Sequence, residues 1–153
     1  MFRKNTILVL VICTFFSCRH EQVAEDSVLN SMSIKTGTIC GWCSKDDTLS
    51  IKGNAVRYIN FWDCRTNQSL EKKGNLTALE WNTLVEKLDF EELKKLNLNT
   101  CNYCADGCDE WLLVEKGSES HYIRFGKDDP ELKPIKIFLD DLYLIKARYS
   151  ANK

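Results

Sequence analysis

The chain has 153 residues, 44% of them hydrophobic and 28% charged, with 21 Lys and Arg against 22 Asp and Glu. No basic patch, arginine-rich helix or aromatic-basic interleaving breaks this balance, which argues against nucleic acid as a partner. Two prolines and seven glycines leave no low-complexity segment, and the length suits one folded domain.

The sequence opens Met1-Phe2-Arg3-Lys4, followed by NTILVLVICTFFS, a basic start and an apolar run of signal-peptide length. The run is too short to cross a bilayer, for which about 20 apolar residues are needed. Ser17 and Cys18 come next. The arrangement resembles a bacterial lipoprotein signal, in which the peptide is removed and the cysteine that becomes N-terminal carries lipid. Phe15 and Phe16 stand where the commonest lipobox has Leu and a small residue, a departure that points to the looser rules of Bacteroidota. The region resembles those of the small lipoproteins of that group. The resemblance implies a signal peptide over 1–17, a palmitate-bearing anchor at Cys18 and attachment to the membrane through that lipid. His20 occupies the position where an aspartate would favour retention in the inner membrane, so the implied location is the outer membrane, facing the periplasm or the exterior. No activity and no functional residue beyond Cys18 follow from it.

Loss of the signal would remove Arg3 and Lys4 and leave a mildly acidic mature chain. Residues 18–37 are polar without a sustained apolar period and are read as a flexible tether. A single domain is expected over 38–153.

Within it, TLSIKGNAVRYINFW has β-favouring residues on both sides of Gly53-Asn54, a hairpin signal. Thr77 and Glu80 form a capping box, with Leu76 and Trp81 as the hydrophobic staple. Trp81, Leu84, Val85 and Leu88 continue as one apolar stripe. The pattern recurs at Asp89 and Glu92, followed inward by Leu93 and Leu96. A second hairpin, EWLLVEK and ESHYIRFG, turns at Gly117-Ser118. After DDPELKP a last helix aligns Ile135, Phe138, Leu139, Leu142, Ile145 and Tyr149. Hairpin, helices, hairpin, helix predicts an α+β fold: an antiparallel sheet from two hairpins, with helices on one face.

Of eight cysteines, Cys13 lies in the signal and Cys18 would be lipidated. The remaining six, Cys40, Cys43, Cys64, Cys101, Cys104 and Cys108, form an even set, as a disulfide framework in an exported chain requires. Six cysteines allow 15 pairings. A bridge inside a C-x-x-C unit contributes about 2 kcal/mol in the chain-entropy model, one closing a long loop about 4 kcal/mol. Cys64 closes the first hairpin and Cys108 opens the second, which makes Cys64–Cys108 the preferred cross-link, with the two C-x-x-C units closing on themselves or each other.

Other chemistries compete with the bridges. Cys40, Cys43, Cys101 and Cys104 supply the ligand set of a structural four-cysteine zinc site, though their separation far exceeds ribbon spacing, and metal must compete with oxidation. CGWC resembles the thioredoxin C-x-x-C superficially, but SKDDTLSI after it reads as turn and strand, not as the long helix a redox motif opens. His121, the one histidine of the folded part, shares a strand face with Ile123 and Phe125 and reads as a core-edge side chain rather than a protease base. Asp106, Asp109 and Glu110 lack the calcium-loop pattern. With no phosphate-cradling glycine loop and no G-x-S-x-G elbow, no cofactor is expected. Trp42, Trp62 and Trp111 flank cysteines and are read, like Trp81, as core. The expected protein is a non-catalytic, lipid-anchored envelope domain that binds an envelope protein or a small ligand, or serves as a structural accessory. The alternatives are the zinc module and, behind it, a thiol-disulfide oxidoreductase.

Overall fold

The computed structural model describes residues 31–41, 46–63 and 68–151. Six strands, β1 (Met32–Cys40), β2 (Asp46–Lys52), β3 (Ala55–Asp63), β4 (Gln68–Asn75), β5 (Cys108–Lys116) and β6 (Glu119–Phe125), form one antiparallel sheet. Its order is β4-β3-β2-β1-β5-β6. Between β4 and β5 lie α1 (Ala78–Glu86), α2 (Phe90–Lys95) and a 3-10 turn (Asn102–Ala105). A second 3-10 turn (Pro130–Ile135) leads into α3 (Lys136–Ser150). The architecture is α+β, as the order of elements implies.

Both expected hairpins form. Gly53 (φ 55°) and Gly117 (φ 61°) occupy the left-handed region at the two turns, where a Cβ would be strained. Two further strands were not expected, and both have physical reasons. β4, QSLEKKGN, is an edge strand and exposes nearly every side chain, so it carries no alternation for a reader to find. β1 corrects the domain boundary: residues 32–37, read as part of a tether, form the centre of the sheet. Met32, Ile34 and Thr36 alternate with Ser33, Lys35 and Gly37, and the first three are buried between the flanking strands β2 and β5. The remainder of that segment, and the signal with Cys18, lie outside the described residues.

The core lies between one face of the sheet and the helices. Ile34, Leu49, Ile51, Val56, Tyr58, Leu112, Val114, Ile123 and Phe125 line the sheet side. Opposite them sit Trp81, Leu84, Phe90, Leu93, Phe138, Leu139 and Leu142 from the helices. The start of α1 follows its sequence: Glu80 N donates to Thr77 Oγ1 at 3.1 Å, and Thr77 N donates back to Glu80 Oε2 at 2.8 Å. Leu76 and Trp81 are buried as the staple. Asp89 caps α2 through Glu92 N at 3.0 Å. In α3, Phe138, Leu139, Leu142 and Ile145 are all buried and Tyr149 packs at the core margin, as the stripe predicts.

Candidate functional site

Two disulfides join described cysteines. Cys40–Cys108 links the last residue of β1 to the first of β5, positions directly paired in the sheet register. This overturns the preference for Cys64–Cys108. That choice assumed that the strand before Cys64 neighbours β5, but β2 and β1 stand between β3 and β5. Cys101–Cys104 closes on itself across the first 3-10 turn. Three of the four sulfurs considered as a zinc set are consumed in these bridges, whereas zinc ligation needs thiolates. Cys43 and Cys64 lie outside the described residues.

The cluster CNYCADGCDEW is organised by Asp109. Its carboxylate is 1% exposed and accepts from Thr100 Oγ1 at 2.7 Å, Asn102 Nδ2 at 2.8 Å and the Tyr103 backbone N–H at 3.1 Å. Three donors compensate its burial and fold residues 100–103 back over the strand. Arg124 holds the loop from the next strand: its guanidinium stacks on the Tyr103 ring at 4.9 Å and donates to Asn99 Oδ1 at 2.7 Å. Thr100 N to Arg124 O and Arg124 N to Leu98 O, both 3.0 Å, extend the backbone pairing along the β6 edge and shield it. Asp106 (φ 63°) ends the 3-10 turn, and Glu110 points to the opposite face of β5 from Asp109. The three acids therefore do not converge. Among the described residues no group of three His, Cys, Asp or Glu side chains is placed to hold a metal ion.

Glu110 belongs to a buried polar network that includes Lys146 of α3. Lys146, 8% exposed, pairs with Asp47 Oδ1 at 2.7 Å and Glu110 Oε2 at 3.5 Å, and donates to Thr38 Oγ1 at 2.7 Å. Asp47 also accepts from Thr38 N at 2.8 Å and Tyr58 Oη at 3.1 Å. At this end of the sheet carboxylates take over the role of the β1–β2 ladder, since Asp46 Oδ1 accepts from Cys40 N at 2.8 Å. Burial pushes the Tyr143 phenol up, and the nearby charges of Glu110, Asp140 and Asp128 add to the effect. His121 Nε2 lies 2.9 Å from the Leu96 carbonyl, a structural contact.

The other sheet face has no described helix against it. Trp111, expected in the core, stands there over Gly37: a Cβ on Gly37 would lie 2.8 Å from the indole and 2.1 Å from the Asp47 carbonyl, so only glycine fits beneath the ring. The indole stacks with Tyr122, centroids 6.3 Å apart, and Tyr122 is half exposed. Leu113 and Ile59 continue this partly exposed apolar strip across the same face. Trp81 is core, as its staple predicts; Trp42 lies outside the described residues.

Beside the strip the face is hollow. Ser33, Ser50 and Ala55 form a floor of short side chains, and Lys35, Lys52, Arg57 and Lys73 rise around it, enclosing a concavity of about 970 Å³. Lys35 pairs with Glu115 at 3.1 Å, while Arg57 and Lys73 share Glu71 at 2.8 and 3.1 Å. The hydrogen bonds from Arg57 and Lys73 hold the Glu71 carboxyl down at about 2. Lys52 makes no ion pair among the described residues.

Sequence reasoning weighed Asp109 only as a calcium ligand, not as the organiser of its loop, and missed Lys146 and this basic hollow. Lys146 left a signal, a lysine adjoining Ile145 one turn after Leu142. The hollow left none, because its four cations come from four strands and meet only through pairing.

Neither a family model nor any curated protein matches this sequence.

Proposed function

We propose that the protein is a non-catalytic lipoprotein of the cell envelope, held to the outer membrane by lipid on Cys18, whose disulfide-stapled domain binds a partner or ligand through its open sheet face. One observation carries the binding part of this reading: an antiparallel sheet with helices on one face presents a stacked Trp111–Tyr122 pair and a basic hollow on the other. A sheet face that only met water would be served by short polar side chains, whereas a partly exposed indole offers a flat apolar surface for contact. Three of the candidate chemical side chains elsewhere have structural partners: Asp109 holds its loop, Lys146 pairs with Asp47 and His121 meets a backbone carbonyl.

The exposure of both Cys101 and Cys104 favours thiol-disulfide exchange as a second reading. Intact mass of the protein exported to the periplasm, with and without alkylation and joined to metal analysis, separates the readings. The proposal expects a lipid-modified Cys18, no alkylation of the other six cysteines without reductant, and no stoichiometric zinc. Free thiols with bound zinc would favour the metal module, and turnover of a disulfide substrate would favour the redox reading.

A further inference from the structure

We infer that the basic hollow docks the domain onto the anionic phospholipid headgroups of the membrane that anchors it. The inference rests on the lipoprotein reading for its geometry, but on the hollow itself for its chemistry.

Four cations, Lys35, Lys52, Arg57 and Lys73, stand on adjacent strands β1 to β4; among the described residues Glu71 and Glu115 pair with them, a surplus of two positive charges. This occurs in a chain whose formal net charge is −1, so the surplus is local and not a reflection of composition. Cross-strand register explains it: Lys35 lies opposite Ser50, Ser50 opposite Arg57, and Arg57 opposite Lys73, which puts three cations on one line across the sheet with a small residue between the first two. Lys52 joins from the next line, between Ser33 and Ala55. The short side chains leave room for a phosphate group to enter between the long lysines; the Ser33 hydroxyl already donates to Glu115 at 2.7 Å, so Ser50 is the floor serine placed to donate to its oxygens.

Position selects the membrane as the occupant. Ser31, the residue at which the described chain enters β1, lines the same hollow. Twelve residues separate it from Cys18. Even fully extended they reach only about 45 Å. A lipid on Cys18 would therefore keep the basic end of the open face near the headgroups, where cations are attracted within a Debye length of an anionic surface. With the hollow against the membrane, the helices point away from it.

The test uses the mature chain with Cys18→Ala, so that no lipid contributes, in co-sedimentation with phosphatidylcholine vesicles that do or do not contain phosphatidylglycerol. Binding is expected only with phosphatidylglycerol and should weaken as salt rises. Lys52→Glu, at a position without an ion pair among the described residues, should reduce binding at least about fivefold. Lys35→Gln combined with Lys73→Gln should reduce it further, with the thermal unfolding of each variant reported alongside to separate loss of the site from loss of fold. Equal sedimentation with both vesicle types, or no response in well-folded variants, overturns the inference. So does displacement by millimolar inorganic phosphate as complete as that by high salt, which would mark a site for free phosphate. The mass of the native protein reads the anchor independently: a lipidated Cys18 with no headgroup binding defeats the docking alone. An unmodified Cys18 with headgroup binding defeats the anchor and leaves a peripheral contact.

Discussion

Lys146 shows how much of this molecule depends on single side chains. It reaches from α3 to the sheet and is the one cation among the described residues shared by Asp47 and Glu110. Replacing it by methionine keeps the length of the side chain but leaves two carboxylates buried without a cation, and should cost about 3–5 kcal/mol in urea unfolding. Adding Asp47→Asn to that variant should recover part of the loss. Tyr143 should behave in the opposite way. Its hydroxyl is buried and has no hydrogen-bond partner among the described residues, so Tyr143→Phe should be neutral or stabilising by about 1 kcal/mol at pH 7. The sign of its pH effect follows from the raised pKa. Above pH 10, the ordinary value for a tyrosine, the unfolded chain releases a proton that the folded state keeps, and stability falls as pH rises. The phenylalanine variant should lose less stability over that alkaline range, measured by unfolding at each pH. Tyr58, also raised by burial, accounts for part of what remains.

At the level of elements, the two described bridges have different duties. Cys40–Cys108 spans 68 residues and fastens the central strand to its neighbour, with Cys40 6% exposed. Replacing both by alanine should cost about 4 kcal/mol in the chain-entropy model. Cys101–Cys104 closes a short exposed turn already held by Asp109, and its removal should cost about 2 kcal/mol or less. Under limiting reductant, alkylation should appear first at Cys101 and Cys104, read by peptide mass. Earlier labelling of Cys40 would contradict this assignment. Elements were legible in the sequence where local chemistry is self-sufficient. The capping box of α1, the staple of Leu76 and Trp81, the stripe of α3 and the two glycine turns all appear as read. β1 and β4 were not legible, since one reads as polar linker and the other exposes both faces. Their strand character comes from pairing: β4 adds to the edge of β3, and β1 is held between β2 and the distant β5.

In the whole molecule, the remaining two of the six cysteines should pair. Cys43 and Cys64 lie outside the described residues, and with the other four cysteines bridged in two pairs they are the two left over from an even set of six. A third bridge between them is predicted, and peptide mapping of the non-reduced protein would find it; a free thiol at either position refutes it. The sequence by itself determined the class of fold, the one-sided placement of the helices and most residues of the core, because periodicity and caps are written within a few residues of one another. Only the tertiary structure decided which cysteines meet, that Trp111 stands outside the core, and that four cations from four strands share one hollow. Those facts depend on strand order and register. A strand's alternation states that it has two faces, but which one meets the helices, and which side chains stand beside it, is settled when distant segments pair.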